Sequence, residues 1–143
     1  MLTEVEQNER RLAIRDMFPR TPHMASLGIV IQRYEPDFVV MRLPFREDLT
    51  NDGTSYHGGV IATLMDSAGG LAAWSHHDFD KGTRAATVSL SVQYIGGATA
   101  GSDLWCDAST LRRGRELIFC EMRVRDSAGR VVADGHLTYR IAE

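Results

Sequence analysis

"SYHGGVIATLMDSAGG", residues 55–70, sets one carboxylate in a long apolar run with no basic residue beside it. Asp66 is the only Asp, Glu, Lys or Arg between His57 and Ser75, in a chain that is 24% charged. At 100° per residue, Val60, Ile61, Leu64, Met65, Ala68, Leu71 and Ala72 fall on one broad stripe, and Ala62, Asp66, Gly69, Gly70 and Ala73 fall opposite. Such a segment reads as a helix buried nearly all round. A carboxylate there costs several kcal/mol unless it is hydrogen-bonded, paired or protonated, and no cation lies one turn away. Asp66 is therefore read as a base or nucleophile rather than as half of a structural ion pair with an Arg from elsewhere. The small residues around it leave room for another backbone or a ligand. A membrane span needs roughly 20 apolar residues, and this run carries an acid at its middle, so no membrane partner is expected.

The start of the same helix offers a second chemical group. If it begins near His57–Gly59, its first turn presents free N–H groups at the positive end of the helix dipole. Gly58 and Gly59 would leave those donors unscreened, so that a carbonyl oxygen could approach and be stabilised as an oxyanion. One such donor is worth on the order of 10² to 10³ in rate. The competing reading is that the two glycines only relieve packing at the helix start. His76, His77 and Asp78 lack a third spaced ligand, so no metal is expected. No GxSxG elbow exists to support a serine nucleophile. "LRRGR", residues 111–115, sets Arg112, Arg113 and Arg115 around Gly114, either a solvated hairpin tip or a clamp for phosphates.

Outward from this centre, residues 3–17 read as a short, mostly solvated helix within an N-terminal helical segment, 1–20. "LGIVIQRYE" and "DFVVMRLPF" form a hairpin turning at Glu35, Pro36 and Asp37. "AATVSLSVQYI" alternates with a period of two, placing Ala86, Val88, Leu90, Val92 and Tyr94 on the core face against Thr87, Ser89, Ser91 and Gln93. Three further strands, separated by "LRRGR" and "SAG", make an antiparallel meander. The expected fold is α+β, one antiparallel sheet wrapped around a long central helix in a single domain over residues 1–143. A net charge of -3 gives no electrostatic footprint for nucleic acid. The charged start, without an apolar stretch and small-residue cleavage site, makes a cytoplasmic location the expectation. Cys106 and Cys120 read as reduced, buried thiols.

The "N..GTSYHGGVIATLMDSAG" pattern, "VSLSVQYIGGA" and "LRRGRELIFCEMRVRDSAGRVVADGHLTYR" together resemble the hotdog-fold acyl-CoA thioesterases of the PaaI-like type, over about residues 45–140. The resemblance implies a helical "sausage" in a β-sheet "bun", and a homodimer with two sites at its interface; a tetramer, as a dimer of dimers, is the further expectation, with the dimer alone left open. It implies hydrolysis of acyl-CoA with no bound cofactor, the Asp of one subunit facing the HGG turn of the other. Carried over, Asp66 would deprotonate water or attack directly, the Gly58 N–H would polarise the thioester carbonyl, and Asn51 would give a second contact. His57 would shape the pocket and Thr87 would position water. Gly59 would belong to the same turn, with Tyr56, Met65 and Trp74 as pocket walls and Arg112, Arg113, Gly114 and Arg115 at the nucleotide phosphates. Ala62, Gly69, Gly70 and Ala73 would make room for the partner subunit and an acyl chain. A hotdog hydratase or dehydratase and a non-catalytic acyl-CoA-binding module are the alternatives.

Overall fold

Thr3 opens the first helix, α1 (Glu4–Met17), with a capping box: its hydroxyl accepts the Glu6 N–H, and the Glu6 carboxylate accepts the Thr3 N–H at 2.7 Å. In this computed structural model, which describes residues 1–143, α1 is mostly solvated and buries only Gln7. The Gln7 amide donates to Asp78 and accepts the Phe79 N–H, both at 2.8 Å, so the helix is pinned over the single-turn segment Phe79–Lys81. A 3₁₀ turn, Phe18–Arg20, leads to a second short helix, α2 (Pro22–Leu27), which the periodicity did not predict. Its signals are local: Pro22 at the first helical position and Gly28 at φ 70° just past the end.

Six strands follow the expected order around the long helix: β1 (Val30–Glu35), β2 (Phe38–Leu43), then α3 (Gly58–Ser75), then β3 (Arg84–Tyr94), β4 (Leu104–Arg113), β5 (Leu117–Arg125) and β6 (Val131–Ala142). They form one sheet in the order β1-β2-β4-β5-β6-β3, every neighbour antiparallel. Leu64, Met65 and Leu71 of α3 are fully buried beneath Met41, Leu43, Leu104, Met122 and Leu137 of the strands. Each such side chain contributes about 1.5–3 kcal/mol by leaving water. Sheet and helix together form the hotdog architecture. No helix is long and apolar enough to cross a membrane.

Two expectations need correction. The small face of α3 does not look outward: a Cβ on Gly69 would lie 2.7 Å from Leu137 and 2.9 Å from Met122, and one on Gly70 would lie 3.3 Å from Tyr139. Gly69, Gly70 and Ala73 are fully buried against the chain's own sheet, so their size serves helix–sheet approach rather than a partner or ligand. The alternation of β3 is also broken. Its register against β6 slips between Thr87 and Ser89, leaving Val88 58% exposed while Leu90 and Val92 pack on the core. A bulge of this kind flips which residues face the helix. Thr87, itself exposed, turns its hydroxyl to α3 where Val88 does not.

At the far end of α3, the β1–β2 turn is held by Asp37, whose φ of 62° is unusual for a residue with a side chain. Its N–H donates to the Ser75 hydroxyl at 2.9 Å, and its carboxylate hydrogen-bonds His76 at 2.6 Å and Arg113 at 2.7 Å. This knot ties the helix end to two hairpins. Burial alone would raise the Asp37 carboxyl, but the hydrogen bonds from Arg113 and His76 outweigh it and hold the pKa below the ordinary carboxylate value.

Such a depressed folded pKa adds stability that is complete above the unfolded pKa and is lost as pH falls through the folded one. Asp37→Asn should lower stability at neutral pH and flatten its decline below about pH 4, measured by urea unfolding at a series of pH values. An unchanged acid limb would refute the knot. Glycine substitutions should separate by what the new methyl meets. Gly135→Ala meets the Ser91 carbonyl oxygen at 2.1 Å and should destabilise most, by about 1–3 kcal/mol or more. Gly69→Ala meets only side chains and gains about 1 kcal/mol of helix propensity, so it should cost less. Gly97→Ala meets nothing within 4 Å and should fall within about 0.5 kcal/mol of wild type. Thermal melts that fail to rank the three in this order would contradict the packing described.

Candidate active site

The loop into α3 is built by its own polar residues. The Asp52 carboxylate accepts the Thr54 N–H at 2.9 Å and the Ser55 N–H at 2.8 Å, the Ser55 carbonyl accepts the Asn51 N–H, and the His57 N–H donates to the Leu49 carbonyl. This fixed turn leaves the Asn51 side chain exposed and without an acceptor or donor in the chain, immediately before the start of α3. His57 is the N-cap: its Nδ1 accepts the Gly59 N–H at 2.9 Å. In the neutral ring this leaves Nε2 as the N–H donor.

That cap divides the two glycine donors. The Gly59 N–H is occupied by His57, whose ring also fills the space beside Gly59 where a Cβ would stand, 2.9 Å from Nδ1. The Gly58 N–H has no acceptor within the chain. It remains the donor for an incoming oxygen. The space beside Gly58 is taken by Tyr94, which sequence reasoning had placed only as a core residue of a strand. Its ring would touch a Gly58 Cβ at 3.3 Å and its hydroxyl donates to the Gly58 carbonyl at 2.6 Å. The glycines thus relieve packing within the chain, and Gly58 presents a donor as well.

Beside Gly58 lies a cavity of about 180 Å³ walled by Tyr56, Ile61, Tyr94, Ala98 and Val132. Tyr56, one of the expected pocket walls, lines this cavity. Its hydroxyl donates to the Ser102 carbonyl at 2.7 Å, and burial pushes the phenol up to about 12, so it stays neutral.

Asp66 lies half-buried in the middle of α3 and pairs with no cation. The Thr87 hydroxyl donates to its Oδ1 at 2.7 Å, while Oδ2 has no partner in the chain. The bulge in β3 is what aims Thr87 at the helix. Tyr139, paired with Thr87 across the sheet, was missed in the sequence. Its hydroxyl accepts the Trp74 indole N–H at 3.2 Å, and burial, with the nearby Asp66 charge as a smaller cause, raises its pKa and keeps it neutral.

Gly58 and Asp66 are eight residues apart on one helix, which separates them by about 12 Å along its axis. No single carbonyl can touch both. The chain therefore presents two separate clusters: Asn51, His57 and Gly58 with the cavity, and Asp66 with Thr87.

Other expected site residues are elsewhere. Met65 is fully buried under Gly135, and Trp74 is 8% exposed among Tyr139, His77 and Phe79, so both are core residues rather than pocket walls. Arg113 turns inward to Asp37 and is not free to hold a phosphate. The Gly114 N–H donates to the Leu117 carbonyl at 2.8 Å, which makes Gly114 a turn residue. Arg112 and Arg115 are unpaired and border a broad hollow of about 650 Å³ with Leu117 and Phe119. His76 and His77 point to different acceptors, Asp37 and the Gly82 carbonyl.

Comparison with known proteins agrees with this architecture. The family model of the Thioesterase superfamily matches residues 53–133. A Halobacterium salinarum protein described as a candidate esterase is 33% identical over 127 residues, covering 82% of this chain and 83% of the relative. Human acyl-coenzyme A thioesterase 13 is 28% identical over 104 residues, covering 72% of each chain. The solved structure of the E. coli PaaI protein superposes with a TM-score of 0.83 over 96% of both chains at 19% identity, a likeness of fold. Since the family model spans more than half of the chain, this chain belongs to the thioesterase superfamily, whose general chemistry is thioester hydrolysis, and its fold is the hotdog fold of the PaaI protein.

Proposed function

We propose that the protein hydrolyses acyl-CoA thioesters to a free acid and CoA, at two sites that each draw on two chains of a homodimer. The single observation that carries this reading is the separation of Gly58 from Asp66 by about 12 Å of helix. A carbonyl polarised by one chain's Gly58 N–H must meet an Asp66 from another. The free edge of β3 supports a second copy there. This eleven-residue strand is exposed along almost its whole length, with Val88 58% and Tyr94 53% exposed, and Ile95 just beyond it 55% exposed. A long unpaired edge with apolar side chains is a surface that seeks a partner.

In this mechanism the thioester carbonyl oxygen accepts from Gly58 N–H and from the Asn51 side chain. The Thr87 hydroxyl holds Asp66 Oδ1, so Oδ2 takes the proton of the attacking water or attacks the carbonyl carbon itself. The C–S bond then breaks and the thiolate leaves, taking up the proton held by Asp66 to become CoA; where Asp66 attacks directly, water then hydrolyses the acyl–aspartyl anhydride to the free acid. The chain's own residues supply every step, so no bound cofactor enters. Arg112 and Arg115 flank Arg113, which is bound to Asp37 beside the C-terminal end of α3, and would meet the nucleotide phosphates.

Two measurements test this. Free-thiol release from acyl-CoAs should fall by at least about 10² in kcat for Asp66→Ala, with circular dichroism unchanged. Mixing Asp66→Ala chains with Asn51→Ala chains should restore activity, since half of the sites in a mixed dimer are intact. Near-normal turnover of Asp66→Ala, or no recovery in verified mixed dimers, would sink the shared site. Acyl-CoA that binds but is never turned over would make the protein a binding module. In a separate series, Arg112→Glu with Arg115→Glu should raise KM for acyl-CoA several-fold more than for a thioester truncated before the phosphates. Equal effects on both substrates would return these arginines to a solvated turn.

A further inference from the structure

The Gly58 N–H can polarise a carbonyl only if it points one way. Glycine has more backbone freedom than any other residue, and two stand together at the start of α3, where a helix has no acceptors for its own first donors. Three hydrogen bonds remove that freedom. The His57 N–H donates to the Leu49 carbonyl at 3.0 Å, the Gly59 N–H donates to His57 Nδ1 at 2.9 Å, and the Tyr94 hydroxyl donates to the Gly58 carbonyl at 2.6 Å. The first two belong to the loop and the cap. The third comes from β3, 36 residues away in the chain.

Tyr94 is itself held in place. It pairs with Ala133 of β6, and the N–H groups of Ile95 and Gly96, just after it, both donate to the Val132 carbonyl, at 2.9 and 3.2 Å. Its ring and hydroxyl stand 3.3 Å from where a Gly58 Cβ would be, so a larger residue at 58 would press the hydroxyl off the carbonyl. Burial does not explain the contact: Tyr94 is 53% exposed, and water would serve its hydroxyl as well. The same strand carries Thr87, whose hydroxyl holds Asp66 Oδ1 at 2.7 Å.

We propose that Tyr94 is a positioning residue: by fixing the Gly58 carbonyl, its hydroxyl aims the Gly58 N–H at the thioester carbonyl, so that β3 of each chain sets both one donor and one acid. The inference rests on the thioester hydrolase reading above. A donor stabilises an oxyanion best when it is aimed before the charge develops, and a misplacement of about 1 Å can cost on the order of 10² in rate. In this role Tyr94 touches no reacting atom. Its loss loosens the donor without removing it, so the cost stays below the roughly 10² to 10³ of a missing donor.

The experiment compares the wild type with Tyr94→Phe, which keeps the ring over Gly58 and removes the hydroxyl, and with Thr87→Val, which removes the hydroxyl on Asp66. Thiol release from straight-chain acyl-CoAs and benzoyl-CoA gives kcat and KM, and thermal melts check the fold. In parallel, infrared difference spectra record the carbonyl stretch of hexanoyl-CoA and benzoyl-CoA, isotopically labelled at the carbonyl carbon. These thioesters are bound to chains that also carry Asp66→Ala, so that they are not consumed. Tyr94→Phe should lower kcat about ten-fold with KM within about two-fold, and should move the stretch back toward its value in free solution. Thr87→Val should lower kcat and leave the stretch where it is. A normal kcat in Tyr94→Phe, or a lowered kcat with an unmoved stretch, would overturn the positioning role and leave Tyr94 as a cover over the helix start. Failure of the wild type to cleave any acyl-CoA would overturn the hydrolase reading instead, and the stretch of the bound thioester would still report whether Tyr94 governs the Gly58 N–H.

Discussion

An α-helix advances 1.5 Å per residue, and nothing within a straight helix shortens that advance. Because α3 runs unbroken from Gly58 to Ser75, its start, its acid and its end are held at fixed stations. The sheet is shaped to those stations. Gly69 lets Leu137 and Met122 come close enough to cover the middle of the helix, and Gly135 lets β6 lie against β3 and Met65. The bulge in β3 then carries a hydroxyl to Asp66, and the loop closed by Asp52 carries Asn51 to the helix start. Chemistry is distributed along a rigid rod, and the rest of the fold brings partners to it.

Much of this was legible in the sequence because it is local and periodic. The apolar run from Val60 to Ala73 announces a buried helix, the lone Asp66 announces an acid without a cation, and the glycine-bearing turns announce the meander. What escaped depends on pairing between distant residues. The phase of β3 is set by Tyr139 and Thr138 on β6, so alternation alone put Val88 inside. Arg113 read as a free cation because its partner, Asp37, is on a turn far away in the chain. The six residues of α2 are too few for a period to emerge. Tyr94 was hidden for another reason: an aromatic in a strand looks like core until the residue it touches is known.

The small face of α3 shows how a correct pattern can support a wrong cause. Gly69, Gly70 and Ala73 do lie near the acid, and small residues do allow close approach. The approach is made by Leu137, Met122 and Tyr139 of the same chain. Open space is found at the helix start instead, in the cavity beside Tyr94. At that same start, one feature decides between the two glycine donors: His57 takes the Gly59 N–H and leaves the Gly58 N–H.

The spacing of Gly58 and Asp66 has a consequence for how such a protein behaves when scarce. In the proposed reaction each site takes its Gly58 turn from one chain and its Asp66 from another, so an isolated chain would be chemically silent and turnover would begin in the encounter of two copies. At concentrations well below that of pairing, the velocity would grow as the square of the amount of protein, so a modest fall in expression would silence the activity out of proportion. The rigid pitch of one helix would thereby set the dose response of the reaction.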